Sequence, residues 1–402
     1  MNLSKHVFSI SNVYLLVWFA YHLQGCLFSL NSTLSQAFWG FQLLVSFYCL
    51  YYANKHFVLP KYMKAVNLLV CLVTIYGILR VAGAEILIIK ENDSAVATTD
   101  FLRHYYNSIL PIYVSFVFTK TGQITERVIK FWVFPFIVFA MIEYYGTQSY
   151  LLATNTIQQE FTNNTGYVFL SILQAIFIGF RKLWIRYILT MFILLYVISS
   201  MKRGAILISI ISLIYITISG LKNRGILFKF IALGCSILLF YGVYDYFQYM
   251  FENSEMFNIR VQETLEGNSS SRDKIAGVLS DYLINDATIW SLLFGIGADG
   301  TLKISWNFAH NDWLEIMVDM GLIGIIVYMY YWKVFFAEAL KPSNDKKIKD
   351  ALILACIYCF CRTFFSQSID AMPIYLTYVL GYCVANNTKH ETNKNITYHK
   401  SN

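Results

Sequence analysis

Charge is what this chain has least of. Only 14% of its 402 residues are Asp, Glu, Lys or Arg, 57% are hydrophobic, and the mean hydropathy is +0.51. A water-soluble domain of this length cannot cover its surface with so few polar groups. No cleavable signal-peptide pattern is present, so the first apolar block reads as a retained helix. There is no internal repeat, and no low-complexity tract beyond an Asn-rich tail. The eight cysteines, Cys26, Cys49, Cys71, Cys235, Cys356, Cys359, Cys361 and Cys383, all sit in apolar blocks. The longest polar loop has none, so no disulfide is expected there. Cys356, Cys359 and Cys361 lack a nearby His or Cys partner set and read as small core residues.

The apolar residues are gathered in blocks of about 17–22, the length a helix needs to cross the hydrocarbon core. The blocks run 8–29, 35–53, 63–82, 101–119, 128–146, 164–180, 183–201, 204–219, 225–244, 313–336, 351–367 and 372–386. Tyr and Trp concentrate at their ends, where amphipathic rings prefer the headgroup region. Lipid offers no partner to an unpaired backbone group and no barrel-type alternation is visible, so each block must be helical. The expected fold is all-α, a polytopic transmembrane bundle of about 12 helices.

Basic residues occupy every second connection: Lys5; Lys55, Lys61 and Lys64; Lys120, Arg127 and Lys130; Arg181 and Lys182; Lys222 and Arg224; Lys341, Lys346, Lys347 and Lys349; and Lys389, Lys394 and Lys400. The alternate connections are neutral or acidic. By the positive-inside rule both termini are expected in the cytoplasm. The net charge of +7 then belongs to one membrane side and implies no nucleic acid. One connection breaks the pattern, since Met201-Lys202-Arg203-Gly204 falls on the outer side. Either a helix boundary is misplaced there, or these cations meet something anionic.

The largest polar segment, 245–312, lies outside between the ninth and tenth helices. It divides the chain into residues 1–244, the loop 245–312, and residues 313–402. The middle of the loop reads as an amphipathic helix. Ser270 or Ser271 suits its cap and Asp273 its first turn, while Ile275, Val278, Leu279, Tyr282 and Leu283 repeat at helical spacing.

Gly295, Gly297 and Gly300 match the dinucleotide fingerprint by letter. An extracytoplasmic loop lacks the strand–turn–helix setting that motif requires. There remains a bare backbone turn that another group can approach closely. His310, the one histidine in the loop, is either an interface residue or a proton carrier. Asp312 and Glu315 beside it are too few and too mixed to be read as metal ligands. Arg80, Arg103, Arg203, Arg260, Arg272 and Lys274 fall at or beyond outer helix ends, and Arg362 lies inside the eleventh block. Each is open to snorkelling or to pairing with Glu85, Glu143 or Asp370. Together they point to an anionic ligand, because guanidinium matches phosphate oxygens bidentately.

Ser271-Arg272, Phe294-Gly295-Ile296-Gly297, His310-Asn311-Asp312 and Gly321-Leu322-Ile323-Gly324, with Arg203-Gly204-Ala205 upstream, resemble the bacterial O-antigen polymerase and O-antigen ligase superfamily. Many ligases carry a Trp shortly after the loop Arg, where this chain has Asp273-Lys274-Ile275-Ala276. The resemblance implies a glycosyltransferase of the bacterial cytoplasmic membrane, without metal or other cofactor. Its expected substrate is an oligosaccharide on polyprenyl pyrophosphate. Membrane lipids surround it, and a chain-length regulator and a flippase of the same pathway are implied partners. It further implies that Arg203 and Arg272 hold the pyrophosphate and that His310 orients or deprotonates the acceptor hydroxyl. Arg80, Arg103, Arg260, Lys274, Arg362, Asn311, Asp312 and Trp306 are the remaining candidate substrate contacts, and Trp313, like Trp306, is a candidate sugar platform. His-Asn-Asp favours a repeat-unit polymerase (for O-antigen, capsule or exopolysaccharide) over a ligase. A lipid-linked sugar flippase is the rival from another class. It would show charges through a central cavity and repeated halves, and the single late loop argues against it.

Overall fold

The computed structural model describes residues 9–27, 33–84, 86–89, 94–154, 163–221, 272–343, 345–366 and 372–399, with isolated positions between 225 and 262. The expected ninth span, Lys222, Arg224, Arg260, and Ser270 and Ser271 lie outside the described residues.

Helices follow the apolar blocks. They are α1 (Ile10–Leu27), α2 (Thr33–His56), α3 (Lys61–Gly83), α4 (Asp100–Ile109), α5 (Pro111–Lys120), α6 (Glu126–Thr154), α7 (Thr165–Leu170), α8 (Leu173–Gly179), α9 (Leu183–Ser199) and α10 (Arg203–Leu221). Within the loop come α11 (Arg272–Asp281), α12 (Ile289–Phe294) and α13 (Gly300–Ser305), and then α14 (Asp312–Leu340), α15 (Lys346–Phe365) and α16 (Ile374–His399). The all-α expectation holds, apart from an antiparallel pair of three-residue strands, β1 (Leu87–Ile89) and β2 (Ser94–Val96).

Local chemistry sets several boundaries. Pro111 has no N–H to donate and takes the first position of α5, dividing the fourth apolar block into α4 and α5. The sixth block divides at Ser171, whose hydroxyl turns back to the Val168 carbonyl at 2.6 Å. Met201, at φ 55, makes the turn between α9 and α10. A helix boundary therefore does fall at the basic connection that broke the charge pattern.

By length and composition, Lys61–Gly83, Glu126–Ser149, Arg203–Leu221 and Asp312–Leu340 are each able to cross a membrane. The last is not the continuous tenth span expected. Gly321 stands at φ 64, ψ −158, and the Tyr328 hydroxyl donates to Asp312 Oδ2 at 2.7 Å. In a straight helix those residues would be roughly 24 Å apart along the axis. The chain therefore reverses at Gly321. Residues 312–320 form a short arm, and residues 322–340, roughly 28 Å long, remain to cross the bilayer. Gly324 lets the two arms touch, since a Cβ there would sit 2.5 Å from the Met320 Cβ.

Shorter apolar helices fill the middle. Every residue of α8 is buried, as is most of α5, and α16 packs on α5 at Gly381, where a Cβ would meet the Ile112 carbonyl at 2.3 Å. Trp18, Phe19, Trp132, Phe136 and Tyr375 stack together beside them. Cys356 and Cys359 are buried in the same core, in keeping with their apolar surroundings in sequence.

The bundle has two chemically distinct ends. At the basic end, Lys347 and Arg181 both reach Glu126, and Lys346 donates to the Ser219 carbonyl at 2.6 Å. At the loop end lie the tips of α3, α9 and α15 and the segment 272–312.

Candidate functional site

The loop end is held together by backbone that only glycine permits. A Cβ on Gly295, itself at φ 73, would fall 2.2 Å from the Asp319 carbonyl oxygen. A Cβ on Gly321 would fall 2.5 Å from the Gly295 nitrogen. With both bare, the turn after α12 docks on the end of the 312–320 arm. Ile296 and Gly297 then donate their N–H groups to the Val318 and Asp319 carbonyls, at 2.9 and 3.0 Å, which satisfies acceptors that a helix end leaves open. Tyr76 on α3 donates to the Phe294 carbonyl at 2.5 Å from the other side. Of the fingerprint-like stretch, Gly295 is thus the glycine whose bare backbone docks loop to helix.

Two carboxylates about one turn apart, Glu315 and Asp319, anchor the loop segment to the arm. Asp319 accepts the Asp299 and Thr301 N–H groups at 3.1 and 3.2 Å. Glu315 accepts the Thr301 hydroxyl at 2.6 Å and the Ala309 N–H at 2.7 Å. Asn311 caps the arm, accepting the Trp313 and Leu314 N–H groups. His310, half-buried and at φ 52, is consequently fixed on both sides. Ala84, Met201, Asp299, Trp306 and His310, the non-glycine residues of positive φ among the described residues, all belong to this end. Such strain concentrates where function over-determines the backbone.

A second group surrounds the tip of α15. Arg272 opens α11 and donates from Nη1 to the Phe365 carbonyl at 2.8 Å. Arg362 lies over the Tyr167 ring, 4.7 Å from its centre, and donates to the Tyr358 hydroxyl at 3.0 Å. Arg203 opens α10, whose Gly204 packs so closely that a Cβ would meet the Tyr167 hydroxyl at 2.3 Å and Phe365 Cβ at 2.8 Å. Trp313 Nε1 donates to Thr363 at 3.1 Å, bringing the His310–Asn311 segment to the same tip. Arg203, Arg272, Arg362 and His310 are thereby gathered from four distant parts of the chain. Tyr167, buried between them, carries no distinguishing signal in the sequence; it is one of many aromatics in apolar blocks.

The other candidates are placed differently. Arg80 is buried in an ion pair with Asp299, Nε to Oδ2 2.9 Å, a partner absent from the three expected. Arg103 donates to the Tyr21 hydroxyl and lies over the Trp39 ring, away from the tip of α15. Lys274 is exposed on α11, and Trp306 is 40% exposed. Trp313 packs on Tyr328, 4.8 Å between ring centres. In the loop helix Leu279 is fully buried with Ile275 and Leu283 against it, while Val278 faces outward. Among the described residues no three His, Cys, Asp or Glu side chains are grouped as metal ligands.

Burial pushes the Asp299 carboxyl up to about 6, with Arg80 pulling it the other way. The folded chain then holds this proton more tightly than the unfolded chain does. Its contribution to stability is full below the ordinary value of 3.8 and is lost as pH rises through about 6. Arg80→Met should cost about 3 kcal/mol at neutral pH by leaving the buried Asp299 carboxylate without its partner, and Asp299→Asn, a neutral isostere, is the pH-insensitive reference. Melting of the wild type, Arg80→Met and Asp299→Asn at pH 5 and 7.5 checks this: the wild type should gain stability relative to Asp299→Asn at pH 5.

An apolar helical bundle with ionised groups gathered at its two ends is an integral membrane protein. Residues 187–329, about a third of the chain, match the family model described as O-antigen ligase. The match supports the resemblance to the O-antigen ligase and polymerase superfamily, and with it a function of that type. It covers Arg203, Arg272, His310 and the loop glycines, but not Tyr167 or Arg362. No curated protein matches the chain.

Proposed function

We propose that this chain is a polysaccharide repeat-unit polymerase of a bacterial cytoplasmic membrane. It crosses the bilayer about a dozen times, with the basic end and both termini inside and the loop outside. The observation carrying this reading is the convergence of Arg203, Arg272 and Arg362 on the tip of α15, to which Trp313 ties the segment that carries His310. In the reaction the acceptor sugar's hydroxyl oxygen attacks the anomeric carbon of the glycan on its polyprenyl pyrophosphate. The new C–O bond forms as the bond to pyrophosphate breaks, and the leaving oxygen takes the electron pair. Guanidinium groups stabilise that growing charge in place of a divalent cation, and the imidazole of His310 takes the hydroxyl proton. The acceptor is a second lipid-linked repeat unit, delivered by the pathway's flippase, with chain length set by a separate regulator.

A second reading, an O-antigen ligase with a finished glycolipid core as acceptor, is favoured by the description of the matching family. Purified protein given only lipid-linked repeat units, in excess chelator, should yield longer lipid-linked glycans. Product only when a glycolipid core is added would establish the ligase, and restoration by a divalent ion would remove the guanidinium model. Orientation is checked separately. A cysteine at Ser269 should react with an impermeant thiol reagent on intact cells and one at Ser343 should not; the reverse would sink the scheme.

A further inference from the structure

The basic end contains a crevice of about 390 Å³ between α8, α9, α10 and the start of α15. Its lining carries Arg181, Arg186, Lys346 and Lys347 against a single carboxylate, Asp350. Counting Glu126 and the helix-capping Asp345, which lie close by, four cations still face three carboxylates.

The distribution matters more than the count. Arg186 is held by carbonyls, Nε to Phe180 at 2.6 Å and Nη2 to Phe177 at 2.9 Å, and Lys346 by the Ser219 carbonyl. Neither charge is met by a carboxylate in those bonds. Asp350 is occupied by hydroxyls, from Tyr215 and Ser219, both at 2.8 Å. Lys346, Lys347 and Lys349 also stand in the first turn of α15, which has no acidic residue of its own beyond the cap. That is the wrong sign for a helix N-terminus, where the macrodipole favours anions. Positive-inside bias accounts for lysines in a loop, but not for a guanidinium fixed at the wall of a crevice beside three lysines on a helix start. The wall also carries apolar side chains, Phe177, Leu183 and Ile216. Cations and apolar side chains lining one crevice, between helices at the membrane boundary, suit an amphiphile with a phosphate head.

We infer that this crevice is a binding site for a phosphate-bearing anion, supplied in the membrane by the headgroup of an anionic phospholipid of the leaflet at the basic end. The site is independent of the transfer chemistry at the loop end.

The test uses the full chain in neutral detergent, with phosphatidylglycerol added in mixed micelles and retained lipid counted by native mass spectrometry. Parallel arms use sn-glycerol 3-phosphate and inorganic phosphate as competitors. The wild type should retain one phosphatidylglycerol that Arg181→Gln/Lys346→Gln holds about 10–30-fold more weakly, two cations each contributing about 1 kcal/mol. Lys61→Gln/Lys64→Gln, on a different basic connection, should leave retention unchanged. The Arg181 side chain is 80% exposed, so Arg181→Gln alone keeps the fold and should still weaken retention several-fold. Competition by sn-glycerol 3-phosphate or inorganic phosphate at micromolar concentration, lost in the same variants, would assign the site to free phosphate compounds. Equal retention by wild type and Arg181→Gln/Lys346→Gln, or an equal loss in the Lys61/Lys64 control, would overturn the inference.

Discussion

Gly321→Ala and Gly295→Ala should each cost roughly 5 kcal/mol or more, enough to leave little folded protein. Two effects combine at each position. Both residues sit at positive φ, where an L side chain is strained by roughly 1–2 kcal/mol. Both also face backbone, which cannot swing aside as a side chain can: a Cβ at Gly321 meets the Gly295 nitrogen and the Leu293 carbonyl, and one at Gly295 meets Asp319 and Met320. Gly297 is the internal control. It has φ 102, but a Cβ there would find nothing within 4 Å, so Gly297→Ala should show the strain alone, about 1–2 kcal/mol. Gly277, within α11 and equally open, should gain about 0.5–1 kcal/mol as Ala. Thermal melting of the purified proteins, with limited proteolysis of the 295–310 segment, checks the ranking. Equal melting temperatures for Gly321→Ala and Gly297→Ala would mean that the reversal is not the constraint the contacts imply.

The same reversal marks where sequence reading stops. Apolar length is a property of the chain alone, so each block inside the described residues holds helix, and the break at Pro111 follows from a missing N–H. The turn at Gly321 is invisible to that signal, because Met320, Gly321, Leu322 and Ile323 are as apolar as a continuous span requires. Gly321-Leu322-Ile323-Gly324 is recognisable as a motif, yet its meaning depends on Gly295 approaching from a separate segment. The Arg80–Asp299 pair fails to show for a related reason: the expected partners are near in sequence or in a neighbouring helix, and the actual one arrives on a docked loop. Charge excess, in contrast, is readable without geometry. Arg203 and Arg272 stand out as cations on the outer side, and Arg362 as one where lipid makes cations costly. The fold brings these three together while holding Arg80 in an ion pair and Arg103 on an aromatic wall.

That convergence gives the catalytic variants distinct expected signatures. Replacing Arg203 or Arg272 by Lys keeps the charge but loses the planar fork, so donor binding should weaken by about 1–3 kcal/mol, a factor between roughly 5 and 150. Arg272 has a second duty, since its Nη1 holds the Phe365 carbonyl. Arg272→Lys should therefore also loosen the start of α11, whereas Arg203→Lys should leave the loop's protease resistance unchanged. His310→Ala belongs to a different class. Its neighbours are fixed by Glu315 and by the Asn311 cap, so losing the imidazole leaves the surrounding backbone its anchors, and Ala keeps the Cβ that strains φ 52. Donor binding should be spared while transfer slows by about 10²–10⁴-fold, the usual share of a general base. Binding of the lipid-linked donor and formation of polymer need to be measured separately, on proteins inserted at wild-type levels. Wild-type transfer by His310→Ala would strip that residue of its role, and unchanged donor affinity in both lysine variants would reduce the arginines to structural supports of the α15 tip.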